Sequence, residues 1–197
     1  MNATNIVWHD GQVSRESRVG FFGHIPATLW MTGLSGAGKS TLAFAMEARL
    51  LELGHASFVL DGDNVRHGLN RDLGFSQSDR SENIRRIAEV AKLMNDAGLI
   101  VITSFISPFR DDRQIAKQII GEEAFFEVHV ATSLDVCERR DTKGLYRRAR
   151  AGMVPEFTGI NSPYEPPVAP AAVVDTEVHS IDVAIDLLIS KFIRKKP

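Results

Sequence analysis

The sequence predicts an α/β fold, a parallel β-sheet with helices packed on both of its faces. Three observations lead there. Short apolar runs recur along the chain as buried strands read, and segments of helical period separate them. The first run, Thr28 to Thr32, leads straight into Gly33-Leu34-Ser35-Gly36-Ala37-Gly38-Lys39-Ser40, which fits G-x-x-x-x-G-K-[ST], and a helical pattern follows at once. The length of 197 residues, with 44% hydrophobic and 24% charged side chains, suits one domain with a full core.

Taken in order, residues Met1 to Ile25 mix polar, aromatic and glycine residues without a clear period. Trp8, Phe21 and Phe22 predict a segment that docks, whether over the domain, on a second subunit or across the site. The single domain then runs over 26–197. Thr41 to Leu53 reads as a helix, with Leu42, Ala45, Met46, Leu50 and Leu53 at helical spacing and Gly54 as a stop. Ala56 to Leu60 is a second strand running into Asp61-Gly62-Asp63-Asn64. Asp79 to Asn95 is the clearest amphipathic helix: Asp79 and Glu82 resemble a capping box, and Ile84, Ile87, Ala91 and Met94 form the buried stripe. Leu99 to Thr103 is a third strand, ending at Ser104 to Pro108. Asp111 to Ile120 is helical, Phe125 to Val130 a fourth strand, and Leu134 to Arg140 a short helix. Residues Asp141 to Pro170 are rich in Arg, Gly and Pro with little apolar period, so they read as a long irregular lid. Ala172 to Val174 is a last short strand, and Ile181 to Ile193 an amphipathic helix with Ile181, Ile185, Leu188, Ile189 and Phe192 inward. No repeat and no second domain is visible. Ligands of such sheets bind at the carboxyl ends of the strands, so all the candidate chemistry falls on one rim.

Bulk properties exclude several classes. A formal net charge of −2 gives no global basic field for nucleic acid or a membrane surface. One cysteine, Cys137, forbids an intrachain disulfide and favours a reducing compartment; on its helix it reads as a small apolar filler. Met1 to Asp10 lacks the basic start and apolar core of a signal peptide, and the longest apolar run, Leu99 to Ile106, is too short to span a bilayer. A cytoplasmic location is expected. His9, His24, His55, His67, His129 and His179 show no metal-ligand spacing.

The glycines of the loop let backbone N–H groups turn inward around a phosphate, and the helix start adds unpaired donors and a favourable dipole. Lys39 would reach the β- and γ-phosphates, the Ser40 hydroxyl would ligate Mg²⁺, and Thr41 continues the cradle. This reads as a nucleoside triphosphate site. Asp61 and Asp63 follow the second strand with one glycine between them. A carboxylate beside the phosphate loop can hold Mg²⁺ or take the proton of an acceptor hydroxyl. Asp63 is assigned that work because it lies further past the strand, and Asp61 is read as a holder of the loop backbone, although Asp-Gly-Asp-Asn is also rich in turn formers. Arg80 stands in register with the apolar stripe of its helix, which at the first turn points it either to water or toward the site, and Asn83 lies close to the same face. Arg66 belongs to the same basic group, whereas Arg85 and Arg86 fall on other faces and read as solvated charges. Arg139, Arg140, Lys143, Arg147, Arg148 and Arg150 crowd the lid and call for an anionic ligand. Phe75 and Phe157 lie in polar loops with no evident core to join; a flat aromatic ligand stacked between them would explain both, and so would burial against the lid.

These residues resemble the adenylylsulfate kinase family over nearly the whole chain. The match runs through Gly33 to Ser40, Asp61 to Asn70, Leu73-Gly74-Phe75-Ser76, Asp79-Arg80, Glu82 to Arg86 and Ser104 to Pro108. It continues at Lys143-Gly144-Leu145-Tyr146, Ala149 to Gly152 and Phe157 to Ile160. The resemblance implies a P-loop kinase fold and transfer of the ATP γ-phosphoryl, with Mg²⁺, to the 3′-hydroxyl of adenosine 5′-phosphosulfate. It implies that Asp63 assists that hydroxyl and the magnesium shell, while Arg66, Arg80 and Asn83 hold the phosphosulfate end. By the same resemblance Phe75 and Phe157 sandwich the substrate adenine, Asp61, Asn64, Ile106, Ser107 and Lys143 complete the pocket, and Arg140 and Arg148 look to ATP. A phosphoserine has been described in the family at the position matching Ser107, which puts Ser107 in the catalytic set. In-line transfer needs no such intermediate, and no base stands near Ser107 in sequence, so a binding role is expected. Asn161, where aspartate is expected, and Val154-Pro155-Glu156 depart from the family pattern. A homodimer is the expected assembly.

Other readings are a kinase of another small hydroxyl metabolite, such as gluconate, shikimate or a nucleoside monophosphate, and a nucleotide-dependent regulatory module. A sugar acid needs no aromatic sandwich, and the Asn-Lys-x-Asp motif of guanine readers is missing. A kinase-like domain that has lost catalysis would not need Lys39, Ser40 and Asp63 together.

Overall fold

A computed structural model describes residues 5–7 and 9–193. In chain order these form α1 (Arg15–Phe22), β1 (Thr28–Thr32), α2 (Lys39–Glu52), β2 (Ser57–Asp61), α3 (Gln77–Asp96), β3 (Ile100–Ser104), α4 (Arg110–Ile120), β4 (Phe125–Val130), α5 (Leu134–Arg140), α6 (Leu145–Arg150), β5 (Ala172–Val174) and α7 (Ile181–Phe192). A 3₁₀ turn, Asn64–His67, follows β2. The strands pair in parallel in the order β2-β3-β1-β4-β5. The sheet is therefore the parallel one the sequence predicts.

Two-residue alternation divides the core between the two faces of the sheet. Leu29, Met31, Ile100, Ile102, Val128 and Val130 pack with Leu42, Met46 and Leu50 of α2 and Leu188 and Phe192 of α7. Trp30, Val101 and Phe125 point the other way, against Ile84, Ile87 and Ala91 of α3 and Ala116 and Ile120 of α4. Every residue of β1 is buried, because this strand has a neighbour on each edge and helices on each face. Register sets the rim: Ser104 lies opposite both Asp61 and Met31, so the ends of β1, β2 and β3 arrive at one level.

Local structure departs from the sequence reading in four places. The segment before β1 contains α1, capped by Ser14, whose Oγ accepts from Ser17 N, and closed by Gly23 in the left-handed region. No residue of α1 is fully buried, so it carries no apolar stripe for a period to reveal. Its docking rests on Phe22, whose ring lies 2.6 Å from where a Cβ on Gly98 would stand, and on buried His24, whose Nε2 bonds the Gly98 carbonyl at 3.0 Å. Phe21 is 84% exposed, and Trp8 lies outside the described residues. Helix α3 begins earlier than Asp79: Ser76 is the cap and Asp79 N donates to it at 3.2 Å. Glu82 closes no capping box and pairs with Arg85 and Arg86 instead. Arg86 in turn grips Asp72 with two bonds, so it ties down the loop before α3 and is not a solvated charge. Finally, α6 interrupts the segment read as irregular, where the Asp141 carboxylate accepts the N–H groups of Tyr146 and Arg147, both at 3.0 Å, and so starts the helix.

Candidate functional site

A cavity of about 900 Å³ opens on the rim at the carboxyl ends of β1, β2 and β3. Ser35, Gly36, Gly38, Lys39, Ser40 and Thr41 line one end of it; Arg66, Phe75, Arg80, Asn83, Ile106, Ser107 and Phe157 line the other. Asp61, Asp63, Arg140, Lys143 and Arg148 border it between these ends. Gly33, Leu34, Ala37 and Asn64 are not among its lining residues. Such a volume is at the top of the range for one small ligand, roughly 300–1,000 Å³.

The loop end is built for an anion. Gly38 caps α2 at φ 95°, and no side chain caps the helix, so its first N–H groups are left for a ligand. A side chain at Gly38 would meet Thr176 at 3.1 Å, and one at Gly33 would meet the Val130 carbonyl at 2.4 Å. The backbone thus needs glycine here for space as well as for conformation. Lys39 is buried, its Nζ donating to the carbonyls of Gly33 at 2.9 Å and Leu34 at 2.7 Å. Burial pulls its ammonium down to about 8, so it is charged at neutral pH and rests on acceptors that a phosphate would replace. The Ser40 hydroxyl donates to Asp61 Oδ2 at 2.7 Å.

Asp61 therefore has two tasks. Its Oδ1 accepts the backbone N–H of Asp63 at 3.0 Å and of Asn64 at 3.4 Å, while its Oδ2 stands beside Ser40. Asp63 is exposed and pairs with Lys143 of the lid. The sequence reading put Asp63 beside Ser40 in the magnesium shell and left Asp61 to hold the loop backbone; in the fold Asp61, the last residue of β2, holds that backbone and is also the carboxylate that meets the Ser40 hydroxyl. Ser40 Oγ and a carboxylate oxygen form the hard-oxygen pair that suits Mg²⁺ held chiefly by phosphates and water. Among the described residues no group of three His, Cys, Asp or Glu side chains forms a metal cage.

At the opposite end the Arg66 guanidinium donates to the carbonyls of Leu73 at 3.0 Å and Gly74 at 2.9 Å and lies 4.5 Å over the Phe75 ring. Arg80 turns inward and joins the lid: Nε donates to Phe75 O at 2.8 Å, one terminal nitrogen to Thr158 Oγ1 at 2.7 Å, and the other to Glu156 O at 2.5 Å. Burial lowers the Arg66 and Arg80 guanidinium pKa values, as expected for cations drawn out of water. Asn83 is buried, and its Oδ1 accepts from Asn70 Nδ2 at 2.9 Å.

The two phenylalanines differ. Phe75 is 67% exposed at the cavity mouth, whereas Phe157 is 8% exposed and packs edge-on against Tyr146, ring centroids 5.0 Å apart. Phe157 does have a core to join, supplied by α6, and one side of it still borders the cavity. Asn161 accounts for its own departure from the expected aspartate. Its Oδ1 accepts Phe157 N at 2.5 Å and its Nδ2 donates to Val154 O at 3.3 Å, a second bond a carboxylate could not give.

The six lid cations do not act as one cluster. Arg139 is paired with Glu177 and Arg150 with Glu138 on the surface. Arg140 donates to Thr176 and Gly36 O, and Arg148 points exposed at the cavity; Arg147 does not line it. Residues absent from the sequence reading of the site also border it: Tyr146, whose hydroxyl donates to Ser35 O at 2.9 Å, and Thr176 and His179, just past β5. The strand-end rule could have found Thr176, since it follows the last strand as Asp61 closes the second.

A family model described as adenylylsulphate kinase matches residues 25–175. The adenylyl-sulfate kinase of Prochlorococcus marinus is 56% identical over 191 residues, covering 97% of this chain and 95% of the relative. That of Shewanella amazonensis is likewise 56% identical over 189 residues, covering 96% of each. Among solved structures, that of the Mycobacterium tuberculosis APS kinase CysC in complex with AMPPNP and APS superposes with a TM-score of 0.81 at 48% identity. It covers 85% of this chain and 97% of that one.

Proposed function

The chain belongs to the adenylylsulphate kinase family, and from that premise we infer that it transfers the γ-phosphoryl group of ATP to the 3′-hydroxyl of adenosine 5′-phosphosulfate, giving 3′-phosphoadenosine 5′-phosphosulfate for sulfate assimilation. The observation that carries the reading is a single cavity with a triphosphate cradle at one end and an aromatic, arginine-lined pocket at the other. Donor and acceptor nucleotides entering from the two ends would meet beside Asp61 and Asp63.

Phosphoryl transfer asks a protein mainly for position and charge. The loop N–H groups and Lys39 hold the β- and γ-phosphates, joined by Arg140, which donates to the loop carbonyl of Gly36, and by Arg148, which lines the cavity. We assign the Mg²⁺ site to Ser40 and Asp61, with Asp63 at its edge; the ion would neutralise charge building up between the β- and γ-phosphates. Asp63 takes the acceptor proton, which requires Lys143 to exchange the Asp63 carboxylate for substrate as the lid, residues 141–170, closes. Arg66, Arg80 and Asn83 receive the phosphosulfate end, and Phe75 and Phe157 hold the adenine between an exposed and a buried ring. Ile106 and Ser107 form the floor at the end of β3.

A homodimer is proposed as the assembly, resting on Ile6, Val7, Val13 and Phe21 exposed in and before α1; sedimentation of the full chain measures it. No helix among the described residues is long and apolar enough to cross a membrane, and we place the enzyme in the cytoplasm, where ATP is available and buried Cys137 stays reduced. Product identification after incubation with ATP, Mg²⁺ and adenosine 5′-phosphosulfate tests the whole reading. Phosphorylation of gluconate and not of adenosine 5′-phosphosulfate would reject it.

A further inference from the structure

Ser107 is the residue of the acceptor pocket whose backbone is least relaxed. It sits past the end of β3 at φ 38°, a left-handed conformation that a serine holds only when its surroundings impose it. Its carbonyl is fixed by Arg113, donating at 2.7 Å, and by Thr32 Oγ1 at 3.2 Å. Arg113 is itself buried and locked on Glu127 at 2.5 Å. Strain held this firmly at a pocket floor marks a side chain whose direction matters.

What sets that direction is Trp30. The indole of Trp30 is wholly buried in the middle of the sheet, stacked on Phe105 with centroids 6.1 Å apart and tilted against Phe125 at 5.7 Å. Its Nε1–H points at Ser107 Oγ, 3.2 Å away. An indole nitrogen can only donate, whereas a hydroxyl has one hydrogen to give and two lone pairs to offer. The polarity of this bond is therefore fixed by chemistry: Ser107 Oγ accepts on the protein side, and its own hydrogen is left to turn toward the cavity that Ser107 lines. No carboxylate or imidazole bonds to this Oγ among the described residues, so nothing stands ready to draw off its proton.

We propose that Trp30 is a positioning residue that orients Ser107 as a hydrogen-bond donor to the acceptor nucleotide. This rests on the acceptor-pocket reading above. An electron-rich phosphosulfate or ribose oxygen is the kind of group such a donor fits, and the buried indole prevents the serine from turning its hydrogen back into the core. Trp30 lies outside the reaction and acts through Ser107.

A double-mutant cycle on the full chain tests this, with Trp30→Phe, Ser107→Ala and the pair assayed for KM toward adenosine 5′-phosphosulfate, KM toward ATP, and kcat. Ser107→Ala is expected to raise KM for the acceptor about ten-fold, as loss of one good hydrogen bond does. Trp30→Phe, which keeps an aromatic ring in the stack and removes the donor together with part of the indole, should raise it about three- to five-fold and leave KM for ATP unmoved. The pair should match Ser107→Ala alone, since the tryptophan then has nothing to orient. Losses that multiply, or a Trp30→Phe effect shared equally by ATP, would overturn the proposal. A wild-type chain inactive toward the acceptor would instead reject the functional reading on which it stands. Should Trp30→Phe fail to fold, the indole N–H of Trp30 can be followed by ¹⁵N NMR in a Trp8→Phe chain. Ser107→Ala should move its resonance and speed its exchange, and the acceptor alone, without ATP, should shift it only when Ser107 is present. An indole signal indifferent to Ser107→Ala overturns the proposal equally.

Discussion

Arg80→Ala should open the lid and weaken acceptor binding, and the size of the effect follows from two bonds. The guanidinium reaches Phe75 O beside its own helix, and Thr158 Oγ1 and Glu156 O across the gap, so the last two bonds join the first turn of α3 to the lid segment carrying Phe157. Glu156 is itself held at φ 54°, a left-handed conformation that the bond to its carbonyl supports. Each lid bond contributes about 0.7 kcal/mol once partial exposure is discounted, so removing the two costs about 1.4 kcal/mol of lid closure. That is about a ten-fold rise in the opening equilibrium. Hydrogen exchange can read it directly, because the N–H groups of Phe157, Gly159, Ile160, Asn161 and Ser162 are all hydrogen-bonded within the lid. Their protection should fall by about ten-fold in Arg80→Ala, and KM for the acceptor should rise by about ten-fold while KM for ATP moves less. Arg80→Lys should behave closer to alanine than to arginine, since one ammonium cannot span three acceptors fanned across a planar fork. Unchanged protection of residues 157–162 in Arg80→Ala would refute the latch.

Three further outcomes are expected. Gly33→Ala places a Cβ 2.4 Å from the Val130 carbonyl, a backbone atom that cannot swing aside. The strain should cost about 2 kcal/mol and lower Tm by ~6 °C in a thermal melt, with ATP binding lost. Asp63→Ala should cut kcat by about 10³-fold while ATP affinity, measured by calorimetry, stays within about three-fold. Glu82 is held at about 2 by its hydrogen bonds first to Arg85 and then to Arg86, below its ordinary value of 4.5. A depressed carboxylate stabilises the fold above the ordinary value and loses that contribution as pH falls through the folded one. Glu82→Gln should therefore be less stable than the parent at pH 7 by about 1 kcal/mol, a figure discounted for exposure, with the gap narrowing below about pH 4.5 in urea melts.

How much of this was legible in the sequence depends on whether a residue's role is local. The strands were readable because burial on both faces makes them continuous apolar runs, as in Leu29-Trp30-Met31 and Ile100-Val101-Ile102. The phosphate loop was readable because its glycines and lysine are contiguous. Helix α1 was not, since it buries no stripe and is defined by its caps, Ser14 and Gly23. Nor was α6, six residues long and started by a carboxylate four positions upstream of its first residue. With α6 hidden, Phe157 looked like a ring without a core, when Tyr146 had one waiting for it.

The site shows the same division at finer grain. Residue type marked Asp61, Asp63, Arg66, Arg80 and Asn83, but the contacts each one makes depend on what it meets across the chain. Strand register puts Asp61 beside Ser40, 21 residues away, and leaves Asp63 to Lys143, 80 residues away. The lid cations looked equivalent in a line; Glu177 and Glu138 draw off Arg139 and Arg150, and only some of the rest face the cavity. Trp30 is the sharpest case. In sequence it is one more apolar residue in a strand, and its only polar atom finds its acceptor 77 positions away, past the end of another strand. A buried indole N–H must bond something, so the sequence announced that a partner existed without naming it. The parallel pairing of β1 with β3 supplies it, and that is how a core tryptophan acquires a hold on the pocket floor.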